Sequence, residues 1–267
     1  MSTAAARPGD LRDLALDVAR QAAELARGRR AAGVEVAATK TSATDVVTEA
    51  DRATELLIRE LIARQRPDDA FLGEEGDDVA GSSGVRWIVD PIDGTVNFLY
   101  GMPHYAVSIA AEVEGEVVAG VVLNAHTGTE YVAVRGEGAT RDGTPLRVRD
   151  KAPLTHRLLG TGFSYIIEAR VLQAEALVRL LPRIRDVRRY GSSALDVCMV
   201  AEGRADGYYE EGVHHWDYAA SVLIATEAGA AHRLTEGRWG GKALVCAPAD
   251  GFDELVTLLD EVGMFGE

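Results

Sequence analysis

Two aspartates three positions apart, in 87-WIVDPIDGTVNF-98, follow a run of β-favouring residues and precede a Gly-Thr pair. A strand ending in Asp90 and Asp93 carries hard oxygen donors at its carboxyl end, where α/β folds place their ligands. Gly94 lets a bound group approach the backbone, and a helix beginning there would point the Gly94 and Thr95 amides outward, toward a phosphate. A plain turn in which both aspartates cap the next helix accounts for the same residues.

Other acids stand in comparable places. Glu74 and Glu75 follow a short strand pattern in 70-AFLGEEG-76, which alone also reads as a solvated acidic loop. Asp51 falls in the first turn of a helical pattern after Thr48, and Asp217 in the first turn of another after Trp216. An acid at either place also suits the helix dipole. Oxygen-only donors favour Mg²⁺ or Mn²⁺ over zinc or copper. Other chemistries lack their motifs: there is no GxxxxGK[ST], no GxSxG, no HExxH and no GxGxxG after a strand. The neighbours His214 and His215 would diverge from one another, so they make a poor zinc site.

The elements that must position these residues are legible as patterns. Asp10 is placed as the N-cap of a helix with Leu11, Leu14, Val18, Ala22 and Leu25 on one face. A second helix starts at the capping residue Thr48, puts Asp51 at its third position, carries the stripe Leu57, Ile58, Leu61 and Ile62, and stops at Pro67. From Tyr105 to Val148, apolar runs broken by EGE, HTGT and RDGT predict an antiparallel meander. Helical patterns return near 166–182 and 192–203, and a strand follows at 206-DGYYE-210. The segment 217–230 is apolar all round and stops at Gly229, which predicts a buried helix. The strand ALVCA and a helix at about 251–262 complete one layered, mixed α/β unit over residues 1–267.

Composition narrows the function. With 28 basic and 42 acidic residues the net charge is −14, which argues against a nucleic-acid partner, whose footprint is a basic patch. The same charge suits a phosphate ester badly unless cations stand between the two. Cys198 and Cys246, the two cysteines, form no CxxC pair and read as reduced, buried residues. The N-terminus lacks a signal-peptide pattern, and no run of about 18 apolar residues occurs, so a cytoplasmic protein without a membrane span is expected.

In chain order, D…EE…DPIDGT…WD resembles the signature of the inositol monophosphatase family of Mg²⁺-dependent, lithium-sensitive phosphatases. KTSATDVVTEAD, LGEE, WIVDPIDGTVNF, GSSALD, ADGYYE and HHWDYAAS all resemble family segments in family order, over about residues 40–230. LLGTGF and RDVRRYGSSALDVCMVAEGR are similar to its actinobacterial SuhB-like branch.

The resemblance implies the sugar phosphatase fold, a layered α-β-α-β-α sandwich with largely antiparallel sheets, commonly a homodimer. A metal-binding part (about 1–150) would join a part (about 151–267) that supplies substrate contacts and one metal ligand. Glu74, Asp90, the Ile92 carbonyl and the Thr95 position would surround a first Mg²⁺. Asp90 would bridge to a second, shared with Asp93 and Asp217, and a third would sit near Glu74, with Mn²⁺ as a substitute. Asp51 and Thr95, assisted at Glu74, would orient and deprotonate water, while the Gly94 and Thr95 amides hold phosphate. Glu210, Asp93, Asp217 and Ser193 would meet the substrate. That substrate would be inositol-1-phosphate or a similar polyol monophosphate. Histidinol phosphate, fructose-1,6-bisphosphate, NADP and phosphoadenosine phosphate are rivals, and Arg188 and Arg189 would serve a second phosphate. A binding protein that had lost catalysis would lack one of these acids, and all are present.

Overall fold

The computed structural model describes residues 7–33, 36–39, 46–238 and 241–264. The KTSATD part of the first family segment and both chain ends lie outside the described residues. Helix α1 (Pro8–Ala32) is followed by the antiparallel pair β1 (Val36–Thr39) and β2 (Val46–Thr48), and by α2 (Glu49–Gln65). Strands β3 (Ala70–Gly73) and β4 (Val85–Asp93) lead into the short helix α3 (Thr95–Tyr100). The predicted meander forms as β5 (Ala106–Val113), β6 (Glu116–Asn124), β7 (Glu130–Val134), β8 (Gly138–Arg141) and β9 (Thr144–Pro145). Then come β10 (Leu158–Thr161), α4 (Ile167–Leu180), β11 (Asp186–Arg188), α5 (Ser193–Ala201) and β12 (Gly207–Val213). The described chain closes with α6 (His215–Glu227), β13 (Ala230–Glu236), β14 (Lys242–Pro248) and α7 (Phe252–Glu261).

Besides the β1–β2 pair, the described residues form two larger sheets, one in the order β3-β4-β5-β6-β7-β8-β9 and one in the order β11-β10-β12-β14-β13. Alternation along the strands builds the layers. Trp87 and Val89 of β4, with Val107 and Ile109 of β5, pack on Leu11, Val18 and Ile58 of α1 and α2. The intervening residues Ile88 and Ala110 face the other way, onto α5 and α6, which also cover Tyr208, Leu244 and Cys246 of the second sheet. The far side of that sheet, through Leu159, Tyr209 and Val245, packs on Leu180 of α4 and on Leu255 and Leu259 of α7. The α-β-α-β-α layering is therefore present. It explains why α6 has no polar face: every residue from Ala219 to Ala225 is buried between two sheets.

Details differ from the sequence reading. Pro8 takes the first helical position of α1, as its fixed φ and missing N–H favour, so Arg7 is the N-cap. Asp10 lies instead in the first turn, paired with Arg7 at 2.9 Å. Leu25 is half-buried, and Ala15, Ala19, Ala23 and Ala26 share the buried seam with the larger side chains, their small size letting α1 approach the sheet. Strands β10, β11 and β13 have no counterpart in the pattern reading. Two are only four and three residues long, and β13 is an edge strand with mixed burial. The sheets are also less uniformly antiparallel than expected, because β3 runs parallel to β4, and β10 runs parallel to both β11 and β12. Cys198 and Cys246 are free and fully buried, as expected.

The contact between β6 and α6 is close. A Cβ on Gly120 would lie 2.9 Å from the Ala220 carbonyl oxygen. Overpacking such a seam costs about 1–3 kcal/mol. Gly120→Ala is therefore expected to lower the urea-unfolding free energy by that amount. A variant as stable as the parent would show that α6 does not press on β6 in this way.

Candidate active site

The cleft is built from strand ends and helix starts. At the end of β4, Asp90 pairs with Ser108 while Asp93 pairs with Ala106, so three steps on β4 match two on β5. In an unbroken strand, residues three apart face opposite sides. The bulge re-aims the strand end, and both aspartates line one cleft of about 420 Å³. In the parallel β3–β4 pair Gly73 stands opposite Val89, so Glu74, one residue on, reaches Asp90. Burial, then the charge of Glu74, Asp93 and Asp217, pushes Asp90 well above the ordinary carboxylate range, and its carboxyl group shares a hydrogen bond with Glu74.

Helices α2 and α6 present Asp51 and Asp217 by the same device. Each is the third residue of its helix, and its carboxylate accepts the N-cap amide, from Thr48 at 2.8 Å and from His214 at 2.6 Å. Capping therefore does not compete with a place in the site. It ties down one oxygen and leaves the other to face elsewhere: in Asp51, Oδ1 is 3.2 Å from Thr95 Oγ1. The Thr95 hydroxyl is also 3.1 Å from the Ile92 carbonyl oxygen. Burial raises the Asp51 pKa against the bonds from Thr48, and burial raises Asp217 well above its ordinary value, with Glu74 adding to both.

Asp93 is held from the other half of the chain. It accepts the Ser193 amide at 3.2 Å, the Ala194 amide at 2.8 Å and the Ser192 hydroxyl, all at the start of α5. Burial still outweighs these bonds and brings its pKa to about 6. Gly94 has φ 91°, and a Cβ there would meet the Gly191 carbonyl at 2.9 Å and that of His104 at 3.1 Å, so only glycine fits. The Asn97 amide donates to the carbonyls of His104 and Tyr190, both at 2.7 Å, and fixes the two segments that flank this turn.

Glu210 and Ser193 line the cleft on the side of the second sheet. Burial lifts Glu210 to about 7, against a hydrogen bond from Tyr208. The Ser193 hydroxyl is 3.1 Å from the Tyr208 hydroxyl. Of the two arginines singled out in the sequence, Arg188 is exposed and paired with Asp186, whereas Arg189 lines the cleft. His214 stacks on Trp216 with ring centroids 5.0 Å apart. Thus Glu74, Asp90, Ile92, Asp93, Gly94, Thr95, Ser193, Glu210 and Asp217 share one cleft, with Asp51 buried behind Thr95.

Two positioning groups escaped the sequence reading. Buried Glu55 accepts the Glu75 amide at 2.7 Å and pairs with Arg59 at 3.0 Å, which anchors the loop carrying Glu74. Its one sequence signal is its place four residues after Asp51, on the same helix face. Ser192 caps α5 and binds Asp93 as well, and it was legible only as the first serine of GSSALD.

As the side chains stand, no three acidic, His or Cys groups among the described residues surround a common point. The donor chemistry, rather than a ready-made cage, is what suits a hard divalent cation. Glu74, Asp90, Asp93 and Asp217 line one cleft, and the charges of Glu74 and Asp93 raise the proton affinity of both Asp90 and Asp217. The hydrogen bond between the Glu74 and Asp90 carboxyl groups stands where a cation would relieve the same repulsion.

Comparison with known proteins shows the family. The model of the inositol monophosphatase family matches residues 9–261. The inositol-1-monophosphatase SuhB of Mycobacterium tuberculosis is 48% identical over 272 aligned residues, covering 94% of each chain. The Nus factor SuhB of Pasteurella multocida is 44% identical over 191, covering 70% of this chain and 71% of the relative. The solved structure of Mycobacterium tuberculosis SuhB superposes with a TM-score of 0.83 at 45% identity, covering 96% of this chain and 98% of that one. Family match, identity and superposition span nearly the whole chain, so this chain belongs to the inositol monophosphatase family of phosphoric monoester hydrolases and has the sugar phosphatase fold.

Proposed function

We propose that the chain hydrolyses inositol-1-phosphate, or a similar polyol monophosphate, with the help of Mg²⁺. The observation that carries this reading is one cleft lined together by Glu74, Asp90, Asp93, Asp217, the Gly94-Thr95 turn and Glu210. The relative named inositol-1-monophosphatase supports the choice of ester.

Glu74, Asp90, the Ile92 carbonyl, Asp93 and Asp217 would hold two or three Mg²⁺, with Mn²⁺ as a substitute. When bound, these ions supply water of lowered pKa and neutralise charge on the phosphate and on the leaving oxygen. The protein's own groups do the rest. The Thr95 hydroxyl accepts a proton from the attacking water and hands its own to Asp51, 3.2 Å away, whose raised pKa suits a base, and Glu74 assists. The Gly94 and Thr95 amides hold phosphate oxygens as charge develops on them. Water attacks phosphorus directly, so no phosphoenzyme forms.

Glu210 accepts bonds from vicinal hydroxyls, and Asp93, Asp217 and Ser193 flank the ring. The metals fall to residues of about 1–150 together with Asp217, and the polyol falls to residues of about 151–267. As part of the same reading the enzyme works in the cytoplasm as a homodimer and is inhibited by Li⁺. A doubly phosphorylated ester is the second reading, favoured by Arg189 on the cleft wall.

Phosphate release from a panel of inositol-1-phosphate, glycerol-2-phosphate, histidinol phosphate, fructose-1,6-bisphosphate, NADP and phosphoadenosine phosphate tests the choice. Preference for inositol-1-phosphate that needs Mg²⁺ and falls with Li⁺ is expected. Preference for the bisphosphate would select the second reading. Asp93→Asn should fold normally yet lose turnover by about two to four orders of magnitude, the size of several kcal/mol of transition-state stabilisation. Parent-like turnover would remove Asp93 from the site. Independently of activity, Mg²⁺ that binds only the folded cleft should raise the melting temperature progressively with concentration. The shift should be lost in Asp90→Asn, and an equal shift in both proteins would place the cation elsewhere.

A further inference from the structure

Glu210 is held by Tyr208 and Gly162, to which the proposed reaction assigns no part, and by Ser193 on the cleft wall. Strands β10 and β12 are parallel, with Gly160 opposite Tyr208 and Thr161 opposite Tyr209. A Cβ on Gly160 would lie 3.1 Å from the Tyr208 ring, and the bare glycine lets that ring lie against β10. Tyr208 is fully buried among the residues of the middle layer. Glu210 is two positions further along the same strand, so both side chains leave β12 on the face toward α5. The Tyr208 hydroxyl donates to the Glu210 carboxylate and stands 3.1 Å from Ser193 Oγ, at the first residue of α5. The Glu210 carboxylate also occupies the space that a Gly162 Cβ would need.

We infer that Tyr208, with Ser193 and Gly162, is a positioning residue that holds the Glu210 carboxylate in one orientation at the polyol end of the cleft, and thereby sets selectivity for esters with ring hydroxyls. The inference rests on the reading of the cleft as a polyol phosphatase site and names what governs its substrate end.

The reason is geometric. A glutamate has three side-chain torsions, and one left free on a cleft wall would give up rotamer freedom each time it bound a hydroxyl. Held between a phenol and a bare backbone, it has already lost that freedom before substrate arrives. Ser193 adds a link between Asp93 and Tyr208. Its amide binds Asp93 at 3.2 Å while its hydroxyl reaches Tyr208, so one residue ties the phosphate side to the polyol side.

The test compares two esters, inositol-1-phosphate and p-nitrophenyl phosphate, which has no ring hydroxyls. Tyr208→Phe removes one oxygen and keeps the ring in the core. Loss of a hydrogen bond to a charged group should lower the ratio of kcat/KM for inositol-1-phosphate over p-nitrophenyl phosphate about tenfold, chiefly through KM. Gly162→Ala should move the ratio the same way, and Glu210→Ala marks the limit of the effect. An equal loss on both esters, or an unchanged ratio, would overturn the inference. Crystals of the parent and of Tyr208→Phe decide without turnover. A Glu210 carboxylate that leaves its parent position is expected, and an unmoved one overturns the proposal. A protein inert toward both esters would sink the proposed reaction, while the crystals would still decide the role of Tyr208.

Discussion

Several carboxylates must share one partly buried cleft, and the rest of the structure answers to that constraint. Burying a single unpaired charge costs several kcal/mol. Asp51, Asp90, Asp93 and Asp217 each accept at least one backbone amide, from Thr48, Ile92, Ala194 and His214. Such bonds compensate part of the lost hydration and also orient the group. They do not suffice, because burial and mutual repulsion still raise the proton affinity of all four. What remains uncompensated is a demand for positive charge. On the proposed reading a protein of net charge −14 can handle a phosphate ester, because bound cations would reverse the local field.

The middle layer links stability to this cleft. Helices α5 and α6 are covered by a sheet on each side, and both begin at the cleft, α5 at Asp93 and α6 at Asp217. Their starts bring amide donors and the positive end of the helix dipole to the carboxylates. Bare glycines at Gly120 and Gly160 let side chains or helices come close to the strands, and bare Gly73 does the same for buried Glu55. The parallel pairs β3–β4 and β10–β12 end side by side, which brings Glu74 to Asp90 and Gly162 to Glu210. A small shift in packing would therefore move several of the groups that line the cleft.

Much of this arrangement is legible in the order of the residues. The cap at Thr48, Asp51 at the third helical position, the meander and the buried helix α6 all follow from patterns acting over a few residues. Where the pattern is short or mixed it is silent, as for β10, β11 and β13, or misplaces a cap, as at Asp10. The fate of two adjacent arginines is equally hidden: Arg188 meets Asp186 at the surface, while Arg189 lines the cleft.

By itself the sequence determined the donor chemistry, the start of α2 and the acidic end of β4, because residue type and local spacing govern capping, turning and ligand hardness. It also carried the family resemblance through the order of its acidic segments. Only the tertiary structure decided which oxygens meet. The bulge that turns Asp90 and Asp93 to one side shows only in the pairing with β5. Asp93 and Ser193 touch across one hundred positions of chain, and Tyr208 finds Ser193 only because a helix lies between two sheets. Sheet register and helix packing set such meetings, and both arise from the sum of many distant contacts rather than from any local run of residues.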